Sequence, residues 1–340
     1  MTEEAEKAKV NPESRTRLDQ VLSWLAANPE MRVYAGLEGA LFDDLPSRLA
    51  AATIAHRSLY RGDDYGLKVG GPWLADLYYL HPNDDDLYEP FGEDSVRMKD
   101  DVIRRPADPN VQLASLMQIV TDSRAAVFWV GDADLTDVAL YRHLRTINQI
   151  LIPRSKFEET APERVTFRHA DANVMAQVTA AIRTDQCARL LGPARSILFT
   201  PHEEWGGGLK RVDRPRDATA SVGPLALDTR NVADIEQSRF NWLTARTVEY
   251  LRKYGKERAS AISEKQLETM VRVWLKSALG YRVTREPQLR KWCYMQLFTQ
   301  GNLETVPGLH DFMMAQKSSP DPNERVDILM RETTKQLKEL

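Results

Sequence analysis

Cysteine is scarce in this sequence. Cys187 and Cys293 are the only two in 340 residues, both in apolar, helix-like surroundings with no partner at ligand spacing. That excludes a disulfide framework, a redox pair and a zinc finger, and predicts two buried reduced thiols. Long hydrophobic runs are missing too: none approaches the roughly 20 residues of a membrane span. The opening stretch "MTEEAEKAKVNPESRTR" is polar where a signal peptide needs an apolar core, so a cytoplasmic protein is expected. Nor is there a basic excess. With 46 Lys and Arg against 49 Asp and Glu, the formal net charge is -3, which argues against a nucleic-acid partner.

Reactive motifs are equally sparse. The Gly255-Lys256 pair lacks the upstream glycine and the following Ser or Thr of a phosphate loop. Gly36 and Gly39 give only G-x-x-G, short of a dinucleotide fingerprint, and a glycine in a strand more commonly marks a close backbone approach. His169 and Asp171 in "FRHADAN" form H-x-D, and His202 precedes two carboxylates in "PHEEW", yet no nucleophile or H-E-x-x-H accompanies them. Asp171 reads more simply as the N-cap of "ANVMAQVTAAI". Asp132, Asp134 and Asp137 open like a calcium loop, but Asp137 stands where glycine is required and His143 where glutamate is required. No cofactor and no metal are expected.

What is present is ordinary globular material, 42% hydrophobic, long enough for two domains. Charge is distributed unevenly. Tyr34 to Asn110 holds 8 basic and 15 acidic side chains, whereas Val232 to Leu340 holds 18 and 14. Residues 1–30 read as a polar extension, disordered to about residue 15, with a short helix marked by Leu18, Val21, Leu22 and Leu25. Over 31–205, the strand-like runs "RVYAGL", "LADLYYL", "AAVFWVG", "RVTFRHA" and "RSILFT" alternate with helical ones. Pro46 opens "LPSRLAAATIAHR". Leu113, Leu116, Met117 and Val120 form one stripe, and Leu140, Leu144, Ile147 and Leu151 another. This alternation predicts an α/β domain with a mixed, largely parallel sheet covered by helices. The Gly-, Pro- and Arg-rich stretch 206–231 predicts a linker. Residues 232–340 read as a smaller all-helical lobe, with Leu267, Met270, Val271, Trp274, Leu275, Ala278 and Leu279 on one face.

Between residues 60 and 94, aromatic side chains lie among many carboxylates. The loop "DDDLYEPFGED" in particular has the composition of a docking surface.

The ordered series "VYAGLEGALFDDL", "SLYRG", "GGPWLADL", "LYRHLRTINQIL", "VTFRHADANVM" and "LLGPARSIL" resembles the framework of the adaptor or chaperone domain that serves effectors of the bacterial type VI secretion system. The resemblance covers about residues 31–200, and the helical tail is similar in kind to the family's C-terminal portion. It implies a non-enzymatic cytoplasmic protein that binds the N-terminal region of a toxin effector, keeps it soluble and loads it onto a VgrG-type spike. No catalytic residue is implied. Gly36, Glu38, Gly39, Gly71, Pro72, Asp171, Gly192 and Pro193 become the structural motif positions. Two of these depart from the family: Glu38 stands where aspartate is usual, and "FRHADANVM" replaces an aromatic-Asp-Pro-Arg sequence. Tyr60, Trp73, Tyr88, Phe91 and Trp205 become the expected partner-binding residues. Two rival readings stay open: an α/β enzyme using Asp132, His169 or Asp171 at strand ends, and a structural subunit of the secretion baseplate.

Overall fold

The computed structural model describes residues 12–60, 64–82, 88–90, 96–98, 104–154, 162–315 and 321–339. The chain divides into two compact units, Met1–Ile235 and Glu236–Leu340.

The first unit contains strands β1 (Arg32–Glu38), β2 (Ile54–Ser58), β3 (Pro72–Leu80), β4 (Tyr88–Pro90), β5 (Val96–Met98), β6 (Ala126–Gly131), β7 (Gln149–Ile152), β8 (Glu163–Thr166), β9 (Ser196–Phe199) and β10 (Lys210–Asp213). Six of them form one sheet in the order β10-β9-β6-β1-β3-β2, while β4 pairs with β5 and β7 with β8. Every neighbouring pair in the main sheet is antiparallel. The expectation of a largely parallel sheet is therefore overturned. Its physical source is burial on both faces. A strand covered by helices above and below reads as a continuous apolar run whichever way its neighbours point, and that run is also the signature of parallel sheets.

The covering helices are α1 (Pro12–Ala26), α2 (Leu45–Ala51), α3 (Tyr65–Gly70), α4 (Pro109–Ile119), α5 (Asp137–Ile147), α6 (Ala172–Ala181) and α7 (Thr184–Leu191). Alternation along the strands sorts side chains between two cores. Ala35, Leu37, Trp73, Ala75 and Phe128 meet Leu18 and Val21 of α1, Leu45 and Leu49 of α2, and Leu113 and Leu116 of α4. Tyr34, Leu74, Val127, Trp129 and Phe199 meet Leu140 and Leu144 of α5, Met175 of α6, and Leu190 and Leu191 of α7. Short polar side chains start the helices: Asp44, Asp64, Asp108, Thr136 and Asp171 each accept a backbone N–H of the first turn. Each such cap stabilises by roughly 1 kcal/mol.

The stretch 206–231, read above as a linker, is built into this unit. It supplies β10, the edge strand beside β9. It also supplies Leu225 and Leu227, both buried, whose backbone groups bond Leu151 from both sides: Leu151 N–H donates to Leu225 O at 2.9 Å and Leu227 N–H to Leu151 O at 2.8 Å. Four apolar anchors, Leu209, Val212, Leu225 and Leu227, pack this segment of loop composition against the cores.

The second unit is helical. It takes most of α8 (Thr229–Tyr254), with α9 (Lys256–Ser260), α10 (Glu264–Gly280), α11 (Glu286–Phe298), α12 (Leu309–Met314) and α13 (Pro322–Glu339). Its core gathers Leu251, Leu267, Val271, Trp274, Leu275, Trp292, Cys293 and Val326. Ser263 stands at the N-cap of α10, its hydroxyl donating to Gln266 Oε1 at 2.7 Å. Arg246 forks onto Glu286 at 2.9 and 2.7 Å, tying α8 to α11. Both cysteines are free and buried, and burial raises both thiol pKa values. No described helix is long and apolar enough to cross a membrane.

Candidate functional site

The motif residues build the interior of the first unit. Gly36 lies opposite Val127, and a Cβ there would sit 3.1 Å from Trp129 Nε1. Gly39 donates its N–H to Gly71 O at 3.0 Å, and a Cβ on it would overlap the carbonyl oxygens of Val69 and Gly71. Pro72 opens β3 opposite Glu38. Gly192 ends α7 at φ 56°, in the left-handed region that favours glycine, with its Cα against the His143 ring; Pro193 follows it. The two glycines of "AGLEG" thus serve close packing.

Glu38 and Asp171 share one partner. Arg168 Nε lies 3.2 Å from Glu38 Oε1, and its Nη2 3.3 Å from Asp171 Oδ2. Asp171 Oδ1 meanwhile caps α6, accepting from the N–H groups of Asn173 and Val174 at 2.9 and 3.3 Å. Glu38 is only 3% exposed; burial raises its pKa, and Arg168 pulls it back.

The residues of the enzyme reading do not converge. His169 is fully buried, with Nε2 2.8 Å from Asn148 Oδ1 and its ring edge-on to Trp129 and Phe167. Burial pushes its pKa down to about 3, so the ring is neutral. Asp132 is exposed and paired with Arg195 at 2.6 Å. Asp171 is spent on its cap and on Arg168. His202 Nε2 lies 2.8 Å from Asp122 Oδ1. Among the described residues, no three His, Cys, Asp or Glu side chains gather as a metal site would need.

The partner-binding residues expected from sequence are scattered. Trp73 is 8% exposed and belongs to the core, with its indole N–H 3.4 Å from Val69 O; its place on an inner strand removes it as a contact surface. Tyr60 is half-buried just beyond β2. Tyr88 begins β4, and Phe91 lies outside the described residues. Trp205 closes a short 3₁₀ turn, half-buried.

Sequence reasoning missed the site that the fold does assemble. A hollow of about 310 Å³ opens where β2 ends the sheet, lined by residues that include Arg57, Asp76, Arg104, Asp137 and Val138. Arg57 reaches Asp137 at 2.5 Å. Arg104 bridges Asp76 at 2.7 Å and Asp137 at 3.3 Å. The two guanidinium groups lie over aromatic rings, Arg57 4.1 Å from the Tyr141 centroid and Arg104 3.8 Å from that of Tyr79. Burial raises the Asp76 pKa against the pull of Tyr78 N–H and Arg104, and it pushes Tyr34 up to about 12. These residues are spread from 57 to 138, and only the strand order brings them together. The single local signal was the β-branched pair Thr53-Ile54 inside "LAAATIAHR": α2 stops at Ala51, Thr53 turns the chain at φ 55°, and β2 follows.

β2 also offers backbone. Among the described residues, it pairs with β3 on one side and ends the sheet on the other. Leu59 N–H donates to Pro72 O at 2.9 Å. Hydrogen-bonded pairs alternate along an antiparallel ladder, so Arg57 turns its backbone groups inward while His56 and Ser58 turn theirs to the open edge.

Comparison with known proteins finds no match among protein-family models, curated proteins or solved structures.

Proposed function

We propose that this chain is a non-catalytic cytoplasmic adaptor of a type VI secretion system, which captures an extended segment of a toxin effector and delivers it to a VgrG-type spike. The observation that carries the reading is the outer edge of β2. An edge strand with no outer partner among the described residues, beside a hollow lined with paired charges, suits strand addition: backbone bonds supply affinity, and alternate side chains enter the hollow. The resemblance of the framework series supplies the class of partner. The absorption of His169, Asp171 and Asp132 into caps, ion pairs and the core supports binding rather than turnover.

The test is capture of the toxin encoded beside the nearest spike gene. Ser58→Pro removes an edge N–H that makes no bond to β3, a place where sheets accept proline. The variant also loses the Ser58 hydroxyl that accepts Tyr60 N–H at 3.2 Å, so it should unfold within about 1 kcal/mol of wild type and lose co-purification of the toxin. Unchanged toxin export from cells lacking the chain would sink the proposal.

A further inference from the structure

Just beyond β2, the surface of the same unit opens into a second hollow, of about 580 Å³, whose lining includes Leu59, Tyr60, Leu67, Arg145, Asn148 and Arg164. Among the described residues, no aspartate or glutamate lines it. Arg57, Arg104, Arg168, Arg183 and Arg195 each hold a carboxylate. Arg145 and Arg164, by contrast, have no such partner among the described residues. Arg145 sits in the last turn of α5, where the helix end carries about half a negative charge. Two unit positive charges exceed that, so the described lining is net positive. The walls are partly apolar: Leu67 is 64% exposed. One ring joins this hollow to the β2 edge, since Arg145 lies 5.5 Å from the Tyr141 centroid and Arg57 4.1 Å from it.

We infer that this hollow receives carboxylate side chains of the protein segment added to β2, so that the captured stretch carries Asp or Glu where it passes Leu59 and Tyr60. This rests on the proposed strand capture. Charge complementarity selects the occupant, because two guanidinium groups with no carboxylate partner among the described residues favour carboxylates in bidentate geometry. Continuity with the strand edge favours a peptide over a free anion.

The probe is a fluorescein-labelled peptide of alternating Glu and Val, read by anisotropy against the full chain, with a Lys and Val peptide and inorganic phosphate as further arms. The Glu and Val peptide should bind, and more weakly as salt rises. The Arg145→Gln/Arg164→Gln double variant should weaken binding by about ten- to a hundredfold, the worth of one charge-assisted hydrogen bond. Arg164→Gln alone, a change at an exposed position, should weaken it less. Equal binding by the double variant, equal binding of the Lys and Val peptide, or full displacement by equimolar inorganic phosphate would each overturn the inference. Toxin capture separates the two readings. If Ser58→Pro loses the toxin and the arginine double variant keeps it, the adaptor stands and the carboxylate hollow falls. If the arginine variant loses it and Ser58→Pro keeps it, strand capture falls, and the inference that an added strand feeds the hollow falls with it.

Discussion

Asn148 joins two elements with one amide: its Oδ1 lies 2.8 Å from His169 Nε2, and its Nδ2 donates to Leu59 O at 2.9 Å. The residue follows the last turn of α5, so this side chain fixes the segment after β2 against the turn that leads into α6. Both partners are poorly hydrated: His169 is fully buried, and Leu59 is 1% exposed as a residue. Leaving a buried polar group unpaired costs about 1–3 kcal/mol. Asn148→Leu should therefore destabilise the first unit by about 2–4 kcal/mol, read as a lower urea midpoint with an unchanged denaturant slope. A loss below about 0.5 kcal/mol would show that the amide does not bear on stability, a threshold set by the scatter of ordinary surface changes.

The same histidine sets the response to acid. Burial lowers the pKa of His169 to about 3 and of His143 to about 4, and it lowers His56 and His81 in the same direction. The unfolded chain binds these protons near pH 6.5, whereas the folded chain refuses them until the lowered values are reached. Stability contributed by the neutral rings is thus complete above about pH 6.5 and is lost as pH falls toward 4, by up to about 1.4 kcal/mol per pH unit per histidine. Glu38 and Asp76 act with the opposite sign. Their folded pKa values are raised by burial, so they take protons first in the folded state and offset part of the loss at the acid end. Urea titrations from pH 7 to 4.5 should show stability falling, with a shallower slope in His169→Gln. An unchanged slope in that variant would mean that His169 already carries a proton in the folded protein.

How much of this was legible in the sequence depends on how local each feature is. Helix starts were legible, because an N-cap acts within three residues: Asp171 before "ANVMAQVTAAI" and Ser263 before α10 sit where their side chains imply. Stripes were legible until a break intervened. Leu140, Leu144 and Ile147 face the core on α5, but Leu151, the next in phase, lies in β7. Strand direction was not legible, since Phe128 and Trp129 are buried on opposite faces of β6 whatever the polarity of its neighbours. The ion pairs of Asp76 and Asp137 depend on strand order, which no window along the chain encodes. Tyr60 was singled out for its acidic and aromatic neighbourhood; the structure places it instead on the wall of a hollow lined by arginine.

Gly36 and Trp129 provide the sharpest check on the reading that the first glycine serves packing. They lie on neighbouring strands, and a Cβ on Gly36 would stand 3.1 Å from Trp129 Nε1 and 3.6 Å from Cδ1. The indole is fully buried, with no partner for its Nε1 among the described residues, so it cannot give way into solvent. Gly36→Ala should therefore cost about 1–3 kcal/mol, the range of overpacking in a dense core. Trp129→Phe removes the five-membered ring that the new methyl would strike, sacrifices no hydrogen bond, and should itself cost stability through the cavity it leaves. In the double variant the methyl moves into that space. The two costs should then fail to add, with a coupling of about 0.5–2 kcal/mol in favour of the pair, measured by a double-mutant cycle in urea. Simple additivity within about 0.3 kcal/mol would show that the two residues do not compete for the same volume. The close approach at Gly36 would then lose its explanation.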